Sequence, residues 1–548
     1  IVLLFLSFSF FNACTTTQKS NEQIKILILS GRNNHAWEQT TPVLQRTFEE
    51  SGCFEVDVTN QPDTFNFENF RAYDVIVSNW NSWPENDIRW PETTEYGLLK
   101  FVEQGGGLVF FHASTSVFYE WPEFEKISTG AWKEETWHGE MCPVTVTIDD
   151  RDHPITKGMT GFCIFDELWF NAEKNDAFHI LGSAGKKDEE GNEMESQPAI
   201  FVANHGKGRI FHTILGHDAR TMRNTGFQAL VLRGTEWAAT SDVTIPLPQE
   251  LREELPGENP DYNWFETDTT FGLLNHTDIV WQFNYNDFRG KPYFHPVYLG
   301  RNRITCVSPD DHIWHLGQWF SWKYINGVNY WEYTGKSYRS EGVTDITLVK
   351  LIKNPDFSAE IHLDIDYHPQ DGETVLKEKR IITVSPPDNQ KLWMDYELLS
   401  EAVSDRVDIN RTPILGEPDG KSWGGYAGLS IRYNQDLMDA SWISSNGDTS
   451  DVNGTTGDWL NMSFKGLDGD RIGSAMFVPD NTKREGWAWY LIDNPELPFY
   501  YFSPAYLYLA PLQLSKGDCI KLNYRILHIS GEVTSEQLSS VYQSYINR

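Results

Sequence analysis

From Ile24 onward, short β-branched apolar runs alternate with longer stretches whose apolar residues recur at helical spacing, the pattern of β-α-β units on a parallel sheet. K-I-L-I-L-S-G, ending at Gly31, reads as a buried strand, and Glu38 to Ser51 as a helix with Val43, Leu44 and Phe48 on one face. E-V-D-V-T and Y-D-V-I-V-S-N-W supply the second and third strands. A helix from about Thr93 to Glu103 stops at the glycines of residues 105 to 107, and L-V-F-F-H-A-S follows as the fourth strand. P-A-I-F-V-A-N-H-G-K-G-R-I-F-H-T-I-L-G-H-D then reads as a hairpin turning on H-G-K-G, and a last helix carries Leu230, Leu232 and Trp237.

The pattern breaks at residues 241–262, where prolines and charges replace any strand period, so this stretch is expected to be a linker. Beyond it, short alternating runs such as T-D-I-V-W-Q-F-N-Y, A-E-I-H-L-D-I-D-Y, K-R-I-I-T-V and C-I-K-L-N-Y-R-I-L are separated by Gly, Asn, Asp and Pro. That texture predicts an all-β sandwich over residues 263–548, after an α/β domain over residues 24–240. A length of 548 residues fits two such domains, each large enough for its own core.

Charge narrows the partners. With 45 Lys plus Arg against 78 Asp plus Glu the formal net charge is −33, which repels phosphate backbones and anionic lipid headgroups, so no nucleic-acid partner is expected. Aromatic residues make up 14% of the chain, including 21 Trp, with runs around Trp80 and from Trp314. Most belong in cores; others can stack on the C–H faces of sugar rings.

The first residues, I-V-L-L-F-L-S-F-S-F-F-N-A-C, form an apolar run too short to span a bilayer, ending at Cys14 before a polar stretch. F-N-A-C resembles a bacterial lipobox, which implies a lipid-anchored, exported protein of the cell envelope, periplasmic or surface-facing, with residues 1–23 as signal and tether and Cys14 as the lipidated residue. Membrane contact is expected through that anchor only. The other cysteines, Cys53, Cys142, Cys163, Cys306 and Cys519, match no zinc or redox spacing. A bridge such as Cys142 with Cys163 stays open in an exported chain.

Ligands of open parallel sheets gather beyond the carboxyl ends of the strands. There the sequence places Ser30 to His35 after the first strand, Asn79 and Trp80 after the third, His112 after the fourth, and His217 with Asp218 after the hairpin. Four segments thus deliver His, Asn or Asp to one rim, which points to a site. The imidazoles with Glu167 could hold a divalent metal such as zinc, or divide acid and base duties near neutral pH. No H-E-x-x-H spacing decides between the two, and no G-x-G-x-x-G follows the first strand to suggest a nucleotide cofactor.

The motifs G-G-G-L-V-F-F-H-A-S, H-G-E-M at His138, D-H-P-I-T-K-G-M, D-E-L-W and G-R-I-F-H-T-I-L-G-H-D resemble those of ThuA-like (trehalose utilisation) domains. The resemblance implies a flavodoxin-like α/β fold of the class I glutamine amidotransferase-like superfamily and a role in sugar metabolism, with links to 3-keto sugars. It places His35, His112, His138, Glu167, His217 and Asp218 as catalytic candidates; Asn79 and Trp80, from their place after the third strand, are the substrate-binding ones. The strand-to-helix elbow that carries a nucleophilic Cys in the amidotransferases holds His112 here, so thiolate chemistry is not expected.

In the β-rich half, K-P-Y-F-H-P places His295 beside a strand, and S-P-D-D-H-I-W-H-L-G-Q-W-F-S-W brings Asp310, Asp311, His312 and His315 close together ahead of Trp319. Residues three apart on an extended segment face opposite ways, so His312 and His315 can share a site only if the segment turns at Pro309. Arg432, in W-G-G-Y-A-G-L-S-I-R-Y, either faces solvent or needs a partner or ligand inside the sandwich. These motifs, with F-S-P-A-Y-L-Y and L-S-K-G-D, resemble domains labelled methane oxygenase PmoA-like, and the strand pattern is similar to sugar mutarotase-like supersandwiches. The second likeness implies a sugar surface at His295, His312, His315, Trp319 and Arg432. A methane monooxygenase activity is not expected without spanning helices. Taken together these readings lead to an exported enzyme that cleaves or hydrates a glycoside or 3-keto sugar, a hydrolase or lyase. The alternative is a non-catalytic, carbohydrate-binding lipoprotein serving a partner enzyme.

Overall fold

Parallel strands are mostly found with both faces covered, and the central strands of the first half of the chain form such a core. The structure, a computed structural model, describes residues 23–547 apart from 86, 189–191, 193, 254–259, 336 and 448–449. The expected signal, tether and Cys14 lipidation lie outside the described residues. The chain divides into two units, at residues 255/256.

In the first unit, β1 (Ile24–Leu29), β2 (Phe54–Thr59), β3 (Val75–Ser78) and β4 (Gly107–Phe111) alternate with α1 (Trp37–Glu50) and α2 (Glu92–Glu103). Further on come β5 (Cys142–Ile148), β6 (Phe162–Asp166), β7 (His179–Gly185), β8 (Gln197–His205), β9 (Gly208–Thr213) and α3 (Thr225–Thr240). They form one sheet in the order β2-β1-β3-β4-β9-β8-β7-β5-β6. The run β2-β1-β3-β4-β9 is parallel throughout, the flavodoxin-like order. From β9 the sheet continues antiparallel through β8, β7 and β5 to β6. Each of these steps reverses direction, and β6 ends up pointing the same way as β9. The carboxyl ends of β1, β3, β4, β9 and β6 therefore share one rim, which the first four strands alone would not have closed.

Residues 241–253, expected as linker, are held to this unit instead. Ile245 and Leu251 are buried, the Glu236 carboxylate accepts the N–H groups of Thr244 and Ile245 at 2.9 Å, and the buried Arg233 donates to the carbonyls of Ile155 and Ile245. Two apolar residues among the prolines are enough to dock the stretch. Among the described residues no disulfide forms, and β5 sets Thr145, not Cys142, opposite Cys163, so no bridge joins Cys142 to Cys163.

The second unit is a sandwich of antiparallel sheets. One sheet contains β10 (Tyr262–Glu266), β11 (Thr270–Asn275), β12 (Asp278–Asn284), β13 (Tyr293–Leu299), β14 (Gln318–Ser321), β19 (Gly428–Arg432), β24 (Phe499–Ala505) and β23 (Ala488–Asn494), in that spatial order. The other runs β15 (Gly342–Lys353), β16 (Ala359–Pro369), β17 (Leu376–Val384), β18 (Lys391–Ala402), β25 (Cys519–Ser530), β22 (Arg471–Phe477), β21 (Trp459–Lys465) and β20 (Met438–Ser444). Alternation sets the faces. In β19, Leu429 and Ile431 enter the core between the sheets while Ser430 and Arg432 point away from it. A helix the sequence reading did not name, α4 (Ser535–Ile546), ends the chain, with a capping box between Thr534 and Gln537.

One buried polar chain crosses the sandwich core. Gln318 of β14 donates to the Tyr396 hydroxyl at 2.8 Å and accepts from His528 Nε2 at 2.9 Å, while His528 Nδ1 lies 2.8 Å from the Ser474 hydroxyl. Burial pushes the His528 imidazole down from 6.5 to about 3. The unfolded chain thus binds more protons between those values, and stability falls as the pH drops through that window at about 1.4 kcal/mol per unit. His528→Gln removes this contribution. Unfolding free energies of the β-rich unit at pH 4, 5 and 6 are expected to give a shallower slope for the variant, and equal slopes would refute the assignment.

Candidate active site

β4 runs straight into an elbow. His112 follows Phe111 with φ of +45°, a conformation costly for a residue with a Cβ, and opens a short 3-10 turn through Thr115. The Phe111 N–H is taken by the Ser114 hydroxyl at 3.0 Å, which holds the turn. His112 is 3% exposed, and its Nδ1 lies 3.0 Å from the carbonyl oxygen of Ile214 at the end of β9.

The other strands of the rim bring their residues to the same point. After β1, His35 is placed by Asn33, whose Oδ1 accepts from the His35 backbone N–H at 2.9 Å and stands 3.1 Å from its Nδ1. Asn81, fully buried after β3, donates to Asn33, Asn34 and the Ala113 carbonyl, tying three loops together. At the end of β6, Asp166 is fully buried and accepts the N–H groups of Glu167 and Gly216 at 2.8 Å and of His217 at 3.2 Å. Gly216 is required there: its φ is +110°, and a Cβ would lie 2.7 Å from the Phe227 ring.

The result is a tight group. Donor atoms of His35, His112, Glu167 and His217 lie within 4.8 Å of one another. His35 Nε2 and His112 Nε2 are 3.3 Å apart, and Glu167 Oε2 is 3.3 Å from His217 Nδ1 and 3.2 Å from His138 Nδ1. Trp169 donates its indole N–H to Glu167 Oε1 at 2.7 Å. The group opens into a cleft of about 490 Å³ whose walls include Trp83, Trp132 and Trp169, with His138 and Asp218 also lining it. Asp218 spends one oxygen on the Thr221 N–H at 2.8 Å.

Electrostatics follow from burial and crowding. Burial, then the neighbouring His217, lowers His35 to about 4, and burial with the His35 and His217 rings holds His112 well below the ordinary imidazole value. Burial works against the Glu167 carboxylate, but His217, His112 and the Trp169 indole outweigh it and bring it down to about 2. Burial also lowers His217, yet the Glu167 carboxylate beside it leaves it above the ordinary value. The site therefore presents two imidazoles held neutral, His35 and His112, beside one carboxylate anion that draws His217 toward its protonated form, a group able to bind a cation or to accept and return protons.

Residues 25–238 match the family model described as trehalose utilisation, ThuA. A ThuA-like protein from Parabacteroides merdae is 32% identical, the match covering 42% of this chain and 95% of that one with a TM-score of 0.37. The chain belongs to the ThuA-like family through this α/β unit. A second ThuA-like protein, from Bacteroides uniformis, is 20% identical over 42% of this chain and 98% of that one, TM-score 0.34. A glutamine amidotransferase from Thermotoga maritima is 10% identical over 35% of this chain and 75% of that one, TM-score 0.23. Residues 273–543 match a family of unknown function (DUF6807), and no curated protein matches the chain. In the ThuA-like unit the elbow carries an imidazole, His112, with no thiol beside it among the described residues.

Two expected rim residues are elsewhere. Asn79 is buried, donating to the Thr40 and Thr41 hydroxyls, and Trp80 packs in the core against Trp90 and Phe118. Neither lines the cleft, because the chain after β3 turns both side chains inward. The residues the sequence reading missed are Asn81, Trp83, Trp132 and Asp166. Trp83 and Asn81 sit in the W-N-S-W run; Trp132 has no pattern around it.

In the β-rich unit the turn after Pro309 exists: His312 N–H donates to the Pro309 carbonyl at 3.0 Å, and the His312 and His315 rings stack at 4.7 Å. Arg432 is fully buried, its Nη2 on the Asp311 carboxylate at 2.8 Å and its guanidinium 3.9 Å over the Phe499 ring. His315 packs on Trp319 at 5.2 Å. His295 is also buried, its Nδ1 3.0 Å from the Thr305 hydroxyl.

Asp166 carries no chemistry of its own in this arrangement but fixes Glu167 and His217. Asp166→Ala is expected to cost about 1–3 kcal/mol, the penalty of leaving buried N–H groups without an acceptor. Thermal unfolding of the variant measures it, and an unchanged midpoint would show that the carboxylate does not hold the rim.

Proposed function

We propose that this protein acts on a carbohydrate, cleaving or hydrating a glycoside or a modified, 3-keto sugar at the rim of its ThuA-like unit. The observation that carries the reading is the convergence of His35, His112, His217 and Glu167, from four segments, at the mouth of a tryptophan-walled cleft. The family's description as trehalose utilisation supports the substrate class. Indole faces supply the apolar area on which sugar rings stack, and the imidazoles and carboxylate supply proton transfer. His138, 41% exposed on the cleft side of Glu167, is placed to exchange protons with a bound substrate. In this reading the chain is an exported lipoprotein anchored through Cys14, and the β-rich unit offers a second carbohydrate site at the part-exposed His312, with the buried His295, His315, Trp319 and Arg432 behind it.

A second reading, a carbohydrate-capturing lipoprotein without turnover, is favoured by the tryptophan walls taken alone. Turnover of disaccharides and their 3-keto derivatives separates the two. His112→Ala is expected to lower kcat by about 10²-fold or more while sugar-dependent thermal shifts persist. Trp132→Ala is expected to weaken sugar binding about 10-fold, the effect of losing one stacking face. Sugar binding without turnover of any panel member would leave the capture reading in place.

A further inference from the structure

The cluster poses a problem in hydrogen-bond chemistry that its own residues do not solve. His112 Nδ1 faces the carbonyl oxygen of Ile214, which can only accept, so Nδ1 carries the proton and Nε2 presents a lone pair. Asn33 Oδ1 accepts from the His35 backbone N–H and from Asn81, so it is the amide oxygen; His35 Nδ1 is then also a donor, and His35 Nε2 presents a lone pair. These two lone pairs face each other at 3.3 Å. His217 Nδ1 is buried and makes no hydrogen bond of good geometry, although Glu167 Oε2 is 3.3 Å away.

A cation resolves all of this at once. Two nitrogens bound to one tetrahedral metal at about 2.0–2.1 Å lie roughly 3.3–3.4 Å apart, the separation of the two Nε2 atoms. The second hydrogen bonds, His112 to a backbone carbonyl and His35 to an asparagine oxygen, are the outer contacts that orient metal-binding imidazoles. Trp169 does the same for the carboxylate of Glu167.

We infer that His35 Nε2, His112 Nε2, His217 Nδ1 and Glu167 bind one divalent first-row transition-metal ion. A donor set of imidazoles with one carboxylate suits zinc, iron, cobalt or nickel, and not magnesium or calcium, which take oxygen ligands. The cleft lies beside these donors and His138 and Asp218 border it, so a further coordination position on that side is open to a substrate oxygen, a carbonyl or hydroxyl of the sugar. The inference rests on the proposed carbohydrate reading for the identity of that substrate, and on the side-chain geometry alone for the metal. It leaves His138, which is not in the group, as the proton carrier.

The test uses the full chain stripped with a chelator, then titrated with zinc and, separately, cobalt. One equivalent of zinc per chain is expected, with visible cobalt absorption bands of a site containing nitrogen donors and a metal-dependent rise in the melting temperature. His35→Ala and Glu167→Gln are expected to weaken zinc binding by more than the roughly 100-fold that outer contacts alone are worth. His138→Ala is expected to bind zinc as the parent does, which also controls for a variant that fails to fold. Absence of stoichiometric zinc binding, or unchanged affinity in folded His35→Ala, overturns the inference; a proton shared between His35 and His112 would then account for the short separation. Turnover in chelator-stripped protein would overturn the metal while sustaining the carbohydrate reading, and zinc binding without turnover would do the reverse.

Discussion

The candidate site depends on one buried carboxylate. Asp166 ends β6 inside the protein and gives its oxygens to three backbone N–H groups, those of Glu167, Gly216 and His217. Those contacts join the last strand of a mixed sheet to the loop after β9, which is distant in the strand order. They set Glu167 and His217 side by side, as Asn81 does for the loops after β1, β3 and β4. Burial raises this carboxyl to about 7 against the pull of its hydrogen bonds, so the arrangement is held at an electrostatic cost.

The β-rich unit settles its buried polar groups differently. The chain from Tyr396 through Gln318 and His528 to Ser474 pairs side chains from both sheets in the middle of an apolar core. A satisfied network of this kind selects one register of sheet on sheet, because a shift of either sheet would strand several buried polar atoms together. On the outer face, Arg432 leaves Nε and Nη1 without partners while Nη2 holds Asp311.

Much of this was legible in the chain. The runs from Ile24 to Phe111 gave four parallel strands at their observed places: burial on both faces leaves a continuous apolar signature in three, and the edge strand Phe54–Thr59 shows as an alternation. The hairpin and the histidines that follow strand ends were legible for the same reason. What was not legible came from partners distant in sequence. The reversals that return β6 to the rim belong to pairing, not to period, and so Asp166 looked like an ordinary acidic neighbour of Glu167. Trp80 illustrates the opposite error: a position just after a strand says where the backbone is, not which way the side chain turns. Trp132 lies in an irregular loop, where no period assigns it a face. Residues 241–253 read as linker because prolines mask the two apolar residues that dock them.

The elbow explains why a histidine cluster can stand at the carboxyl edge of the sheet. A strand that ends in a left-handed residue projects one side chain rigidly over the sheet's carboxyl edge, whatever that side chain is. With cysteine the geometry serves a thiolate; with His112 it serves an imidazole whose far nitrogen is already tied to the Ile214 carbonyl. That tie matters more than the substitution. It removes His112 Nδ1 from any chemistry and directs the Nε2 lone pair toward His35 and Glu167, so the side chain acts through that one nitrogen as a member of the group. The fold thus supplies position, and the outer hydrogen bonds decide what the positioned atom is able to do.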